Sequence, residues 1–183
     1  MTNNPVTEKK ALILDRDGVI NINKGYVHRV EEFEFIPGIF TVCRAFVAAG
    51  YLVIVVTNQS GIGRGYYDDA QFHILTRYML DRFAEQGAPI DQVYYCPHHP
   101  KFGIGSYQID CACRKPKPGM IQQAQIDFRL DLSGSILIGD SERDIEAGIN
   151  AGVGVTCLYE PITKNITKAD YIFYRIEEAT NLL

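Results

Sequence analysis

The chain has 183 residues, 46% hydrophobic and 22% charged, enough apolar content for one domain with a substantial core. Its formal net charge is −4 with no basic run, which argues against nucleic-acid binding, and no stretch approaches the roughly 18 apolar residues that cross a bilayer. Met1 to Lys10 is polar and lacks the apolar segment of a signal peptide, so a cytoplasmic protein is expected; the five cysteines suggest metal binding and not a disulfide framework.

The first strand is Ala11–Leu14, a continuous apolar run of the kind that parallel sheets bury. It ends directly in Asp15-Arg16-Asp17-Gly18. Pro37-Gly38 opens a helix to about Ala49, stopped by Gly50. Tyr51–Val56 is a second buried strand, followed by Thr57-Asn58-Gln59-Ser60-Gly61. Asp68 caps a long amphipathic helix to about Gln86, closed by Gly87. Gln92–Tyr95 is a short strand, Ile121–Leu130 a helix, and Ser135–Ile138 a strand ending in Gly139-Asp140. Arg143–Asn150 is helical up to Gly152, and Val155–Leu158 and Tyr171–Phe173 are late strands. Buried strands alternating with helices predict an α/β fold, a doubly wound parallel sheet, in one domain over residues 1–183.

Parallel strands share one carboxyl edge, where open α/β folds build their sites. Asp15 and Asp17, then Thr57 and Asn58, then Asp140 all fall at strand ends and can converge there. Each alone is explained as a turn or cap residue, and Asp-x-Asp-Gly also occurs in solvated turns and calcium loops. Together, hard carboxylate oxygens suit Mg²⁺, Thr57 and Asn58 offer donors to an anion, and Lys115 adds a point charge. That set describes phosphoryl transfer, and no nucleotide P-loop is present.

A second cluster, Cys96-Pro97-His98-His99-Pro100 with Cys111-Ala112-Cys113, fits a structural zinc site of Cys96, His98, Cys111 and Cys113. Two unrelated pairs of surface residues are the alternative. His99 is at best a supporting group behind the ligands. Cys43 and Cys157 read as small core residues. The loop, about residues 96–113, ends at Arg114-Lys115-Pro116, so zinc would pin a segment that delivers Arg114 and Lys115.

Asp15-x-Asp17-Gly18, Thr57, Lys115 and Gly139-Asp140 with Asp144 resemble the four motifs of the haloacid-dehalogenase (HAD) superfamily. The resemblance implies a Rossmann-like core in which Asp15 is the nucleophile and Asp17 the acid and base. It also implies Thr57 and Lys115 on the phosphoryl oxygens, and Mg²⁺ held by Asp15, the Asp17 carbonyl and Asp140. Asp144 either supports that metal or simply occupies the first turn of its helix, favoured by the dipole.

Gly25-Tyr26-Val27-His28, Thr57 through Gly65, Tyr94 through Pro100 and Cys111-x-Cys113-Arg114-Lys115-Pro116 resemble the zinc-loop branch that includes heptose-bisphosphate and histidinol-phosphate phosphatases. The match runs from Leu12 to Gly154, and the Gly-Tyr-Val-His segment favours the sugar branch. A phosphorylated sugar as small-molecule partner, a monomer and no membrane partner are expected. Asn23, Lys24, Gly25, Tyr26, Asn58, Gln59, Ser60, Arg64, Arg114 and Ser141 are the expected substrate contacts. Arg64 could equally be a solvent-facing loop residue and Tyr26 a packing residue. Some 20 residues between Gly18 and Pro37 leave no room for a large cap domain. Ser141 stands where a sugar-branch member carries Lys, removing a charge near the site.

Overall fold

The computed structural model describes residues 8–160 and 166–183. Six strands, β1 (Ala11–Leu14), β2 (Leu52–Asn58), β3 (Gln92–Cys96), β4 (Ile136–Gly139), β5 (Val155–Tyr159) and β6 (Tyr171–Phe173), form one sheet in the order β3-β2-β1-β4-β5-β6. Every neighbouring pair is parallel. The helices are α1 (Ile39–Ala48), α2 (Ser60–Gly63), α3 (Asp69–Glu85), α4 (Gly119–Phe128) and α5 (Glu142–Ala151).

The alternation of side chains along each strand sorts the core into two layers. Leu12, Leu14, Val53, Val55, Ile136 and Ile138 face Val42, Phe46, Leu75, Met79 and Phe83 of α1 and α3, with Ile176 of a C-terminal 3₁₀ segment. Ala11, Ile13, Ile54, Val56 and Leu137 face Ile121 and Ala124 of α4 and Ile145 of α5 on the other side. With both faces covered, the strands can be apolar throughout, which is why they read as runs and not as alternations. Cys43 and Cys157 are buried in the first layer.

The boundaries shift in ways that matter. β2 extends through Thr57 and Asn58, and β3 through Cys96, so these site residues sit on the sheet itself. Ser60–Gly63 folds as a short helix that has too few residues to show a period in sequence. α4 stops at Phe128 because Arg129 turns left-handed, and Leu130 instead bridges to Lys9. Asp68 caps α3 reciprocally with Gln71. Between β1 and α1 only a one-turn 3₁₀ helix, Val30–Glu32, intervenes, so among the described residues no cap domain is inserted there over the carboxyl edge.

Candidate active site

Strand order reverses about β1, whose neighbours are β2 and β4, and the crevice opens at that edge. Asp15 follows β1 and Asp140 follows β4, while Thr57 is held in register against Tyr95 near the end of β2. Lys115 enters from the loop before α4, buried with 3% exposure. Its ammonium donates to Asp15 Oδ1 at 2.8 Å and Val56 O at 2.7 Å and pairs with Asp144 Oδ1 at 2.6 Å. Those partners use all three of its donors.

One ammonium does not neutralise this cluster. Carboxylate oxygens of Asp15, Asp140 and Asp144 lie within 4.8 Å of one another. Burial, with Asp144 and Asp140 as like-charged neighbours and Lys115 opposing, pushes the Asp15 carboxyl up to about 7. Burial and Asp144 push Asp140 up to about 6. Asp140 Oδ1 is buried without a hydrogen-bond partner. Gly18, at φ +96°, lies so close that a Cβ there would fall 2.0 Å from Asp140 Oδ2. Crowded hard oxygens short of positive charge fit a divalent cation such as Mg²⁺.

Asp17 faces the same cleft but contributes no carboxylate to that group. Its oxygens accept from Arg16 Nη2 at 2.8 and 2.7 Å, Arg16 Nε at 3.1 Å, Asn21 Nδ2 at 3.1 Å and Gln59 Nε2 at 3.0 Å. Arg16 is itself buried and donates to Val27 O at 2.8 Å, tying the Asp17 turn to the Gly25–His28 segment.

At the end of β3, Cys96, His98, Cys111 and Cys113 converge with ligand atoms within 4.8 Å of one another. Sulfur–sulfur separations are 3.0 to 3.4 Å, and His98 Nδ1 lies 3.5 and 3.8 Å from two of the thiols. A tetrahedral zinc with bonds of about 2.3 Å to sulfur has edges of about 3.8 Å, so the cage needs only a slight expansion. Hydrogen bonding with Cys96, Cys111 and His98 outweighs burial and lowers the Cys113 thiol to about 5, toward the thiolate form that a metal takes. Four protein donors leave no open position, the mark of a structural site.

The cleft, about 340 Å³, is lined by Asp15, Asp17, Thr57 and Lys115 and by the predicted substrate contacts Asn23, Gly25, Tyr26, Asn58, Gln59, Ser60, Arg64 and Arg114. Arg64 lies over the rings of Phe102 at 4.7 Å and Tyr26 at 5.8 Å. Arg114 donates to His98 O at 3.1 Å, a direct link from the thiol cluster to the cleft. Asn58 exchanges hydrogen bonds with the backbone of Lys115, each 3.1 Å, so its amide holds the lysine and keeps one N–H donor free.

Two predicted contacts are engaged with other side chains. Lys24 is exposed and pairs with Glu34 at 3.0 Å, between the cleft-lining Asn23 and Gly25. Ser141 is the N-cap of α5, and its hydroxyl donates to Asp144 Oδ2 at 2.5 Å. Asp144 thus caps the helix and also stands in the carboxylate cluster. The cleft also contains Tyr67, His99 and Arg143. His99 does not reach the thiols; its Nδ1 accepts from the amides of Lys101 and Phe102. Arg143 reads in sequence as one more exposed helical residue, and only the aim of α5 at the crevice brings it in.

The family model described as HAD-hydrolase-like matches residues 112–160. A D-glycero-alpha-D-manno-heptose-1,7-bisphosphate 7-phosphatase from Burkholderia mallei is 57% identical over 82% of this chain and 80% of its own. A D-glycero-beta-D-manno-heptose-1,7-bisphosphate 7-phosphatase from Haemophilus influenzae is 44% identical over 95% and 96%. The solved D,D-heptose 1,7-bisphosphate phosphatase from B. bronchiseptica, complexed with magnesium and phosphate, superposes with a TM-score of 0.82 at 29% identity, covering 94% of this chain and 97% of that one.

Proposed function

Because the chain belongs to the D-glycero-D-manno-heptose-1,7-bisphosphate 7-phosphatase family of HAD-like hydrolases, we propose that it hydrolyses the 7-phosphate of that heptose bisphosphate through an aspartyl-phosphate on Asp15. The observation that carries the reading is the pairing of a buried strand-end carboxylate, Asp15, with Lys115 at 2.8 Å, while a second acid, Asp17, faces the same cleft. Binding alone would not need an acid beside a nucleophile.

In the first half-reaction an Asp15 oxygen attacks phosphorus, the bond to the sugar oxygen breaks, and Asp17 delivers a proton to that oxygen. In the second, water attacks the same phosphorus, the bond to Asp15 breaks, and Asp17 takes the water's proton. Thr57 donates to the phosphoryl oxygens, Lys115 supplies positive charge beside the Asp15 carboxylate, and Asn58 holds Lys115 in place through its backbone. Asp15, Asp140 and Asp144, with the Asp17 carbonyl, would hold Mg²⁺, which neutralises charge on the transferring group.

Cys96, His98, Cys111 and Cys113 would hold zinc that fixes the loop delivering Arg114 and Lys115. Thiolates kept for a metal suit the reducing cytoplasm. Arg64, Arg114 and Arg143 line the cleft and supply the charge to grip the second phosphate. Arg143 also returns to this edge the cationic charge that Ser141 lacks. Every group invoked comes from one chain, on one sheet and the loops and helices that flank its carboxyl edge, so a monomer and a single domain suffice. We assign the alpha anomer, because two relatives named for it are 57% and 51% identical, whereas relatives named for the beta anomer are 46% and 44% identical.

Phosphorus NMR on both anomers with Mg²⁺ tests this reading. The 7-phosphate resonance should disappear while the anomeric phosphate remains, faster for the alpha anomer. Release of the anomeric phosphate, or turnover of histidinol phosphate in preference to both anomers, would overturn it.

A further inference from the structure

Three side chains that hold Asp17 come from two parts of the fold. Arg16 and Asn21 belong to the same turn as Asp17, so they fix its carboxylate relative to that turn only. Gln59 comes from the end of β2, and its Nε2 bridges Asp17 Oδ2 at 3.0 Å and Thr57 Oγ1 at 2.8 Å. It therefore sets the separation between the second acid and the phosphoryl cradle. An amide can present oxygen or nitrogen to these groups, and only the nitrogen is attractive to a carboxylate.

Tyr67 decides which. Its hydroxyl donates to Gln59 Oε1 at 2.5 Å, and both residues are buried, 5% and 2% exposed. Burial raises the Tyr67 hydroxyl to about 12, so it remains a donor at neutral pH. The ring is fixed from two sides. His28 stacks on it with centroids 5.0 Å apart and planes 1° from parallel. Gly61 lies against it, and a Cβ on Gly61 would fall 2.1 Å from the ring.

We infer that Tyr67 and Gln59 form a positioning relay that holds the Asp17 carboxylate against the Thr57 cradle for the hydrolytic half of the reaction. The inference rests on the aspartyl-phosphate reading above. Held between Gln59 and the turn donors, the Asp17 carboxylate is aimed to accept the proton of the attacking water. As that proton moves to Asp17, the water oxygen bonds to phosphorus, and the phosphorus–oxygen bond to Asp15 breaks, releasing inorganic phosphate and the free carboxylate. The relay touches no reacting atom; it acts through Asp17.

The test uses Tyr67→Phe, which keeps the ring and removes only the hydroxyl, with 4-nitrophenyl phosphate and Mg²⁺ in stopped flow. Nitrophenolate leaves without a proton, so the first half-reaction is spared. The variant should release a burst of about one nitrophenolate per site and then turn over about tenfold slower than wild type, within the range that acid–base catalysis supplies. Its kcat and KM should fall together, leaving kcat/KM within about twofold. Gln59→Leu should give the same burst, and decides the matter if Tyr67→Phe does not fold. Unchanged turnover, or a loss in kcat/KM equal to that in kcat with no burst, would overturn the relay. Acid quench of wild type separates the two claims. If no phosphoenzyme is ever trapped, the aspartyl-phosphate reading fails and the relay with it. If it is trapped and both variants turn over normally, the relay alone fails.

Discussion

Replacing Lys115 by methionine keeps the length of the side chain and removes one buried charge, and the structure fixes what that leaves behind. Asp15 and Asp144 lose an ammonium at 2.8 and 2.6 Å, and Val56 O loses its 2.7 Å donor. Breaking a buried ion pair by removing one partner costs about 3–5 kcal/mol, which for a chain of this size lowers Tm by about 6–20 °C. The loss should depend on pH. Burial alone would raise the Asp144 carboxyl, but the charge and hydrogen bond of Lys115 outweigh it and hold it below the usual carboxylate range. Lys115 is itself raised, its two carboxylate partners overcoming burial. A depressed acid stabilises the fold above its unfolded pKa, and a raised base does so below its own, so the pair is fully effective at pH 7. Without the lysine the stranded carboxylates take up protons as pH falls, and the gap to wild type should narrow between pH 7 and 5. Thermal melts of both proteins in Mg²⁺-free buffer at the two pH values measure it. A variant as stable as wild type at pH 7, or a deficit that does not change with pH, would refute the reasoning.

Asn58→Ala should lower activity by up to about thirtyfold without abolishing it, since two hydrogen bonds of about 1 kcal/mol each hold the Lys115 backbone; steady-state kinetics would show it, and an unchanged rate would free Lys115 from that control. Metal analysis of protein purified without chelator should find about one zinc per chain. Cys111→Ala should loosen Arg114 and Lys115, raising KM and lowering kcat together, while a zinc-free protein of full activity would remove the structural role.

Much of this architecture is legible in the sequence because its parts use strong local signals. The strands show as uninterrupted apolar runs, α3 carries its own cap in Asp68, and Cys96, His98, Cys111 and Cys113 declare themselves by density. What is not legible depends on aim. Asn58 and Thr57 are adjacent on β2, yet Thr57 faces the cradle while the Asn58 amide is bound to the Lys115 backbone. Ser141 looks like a substrate contact by position, but as the N-cap of α5 its hydroxyl is held by Asp144. Tyr67 belongs to no motif and precedes a helix, so its bond to Gln59 follows only from packing that seats its ring against Gly61 of α2 and His28.

The most direct test of the central claim is to trap the intermediate. Turnover of heptose bisphosphate radiolabelled at the 7-phosphate, quenched in acid and followed by peptide mapping, should place the label on the peptide containing Asp15, and Asp15→Asn should carry none. Label on another peptide, or labelled Asp15→Asn, would contradict the account.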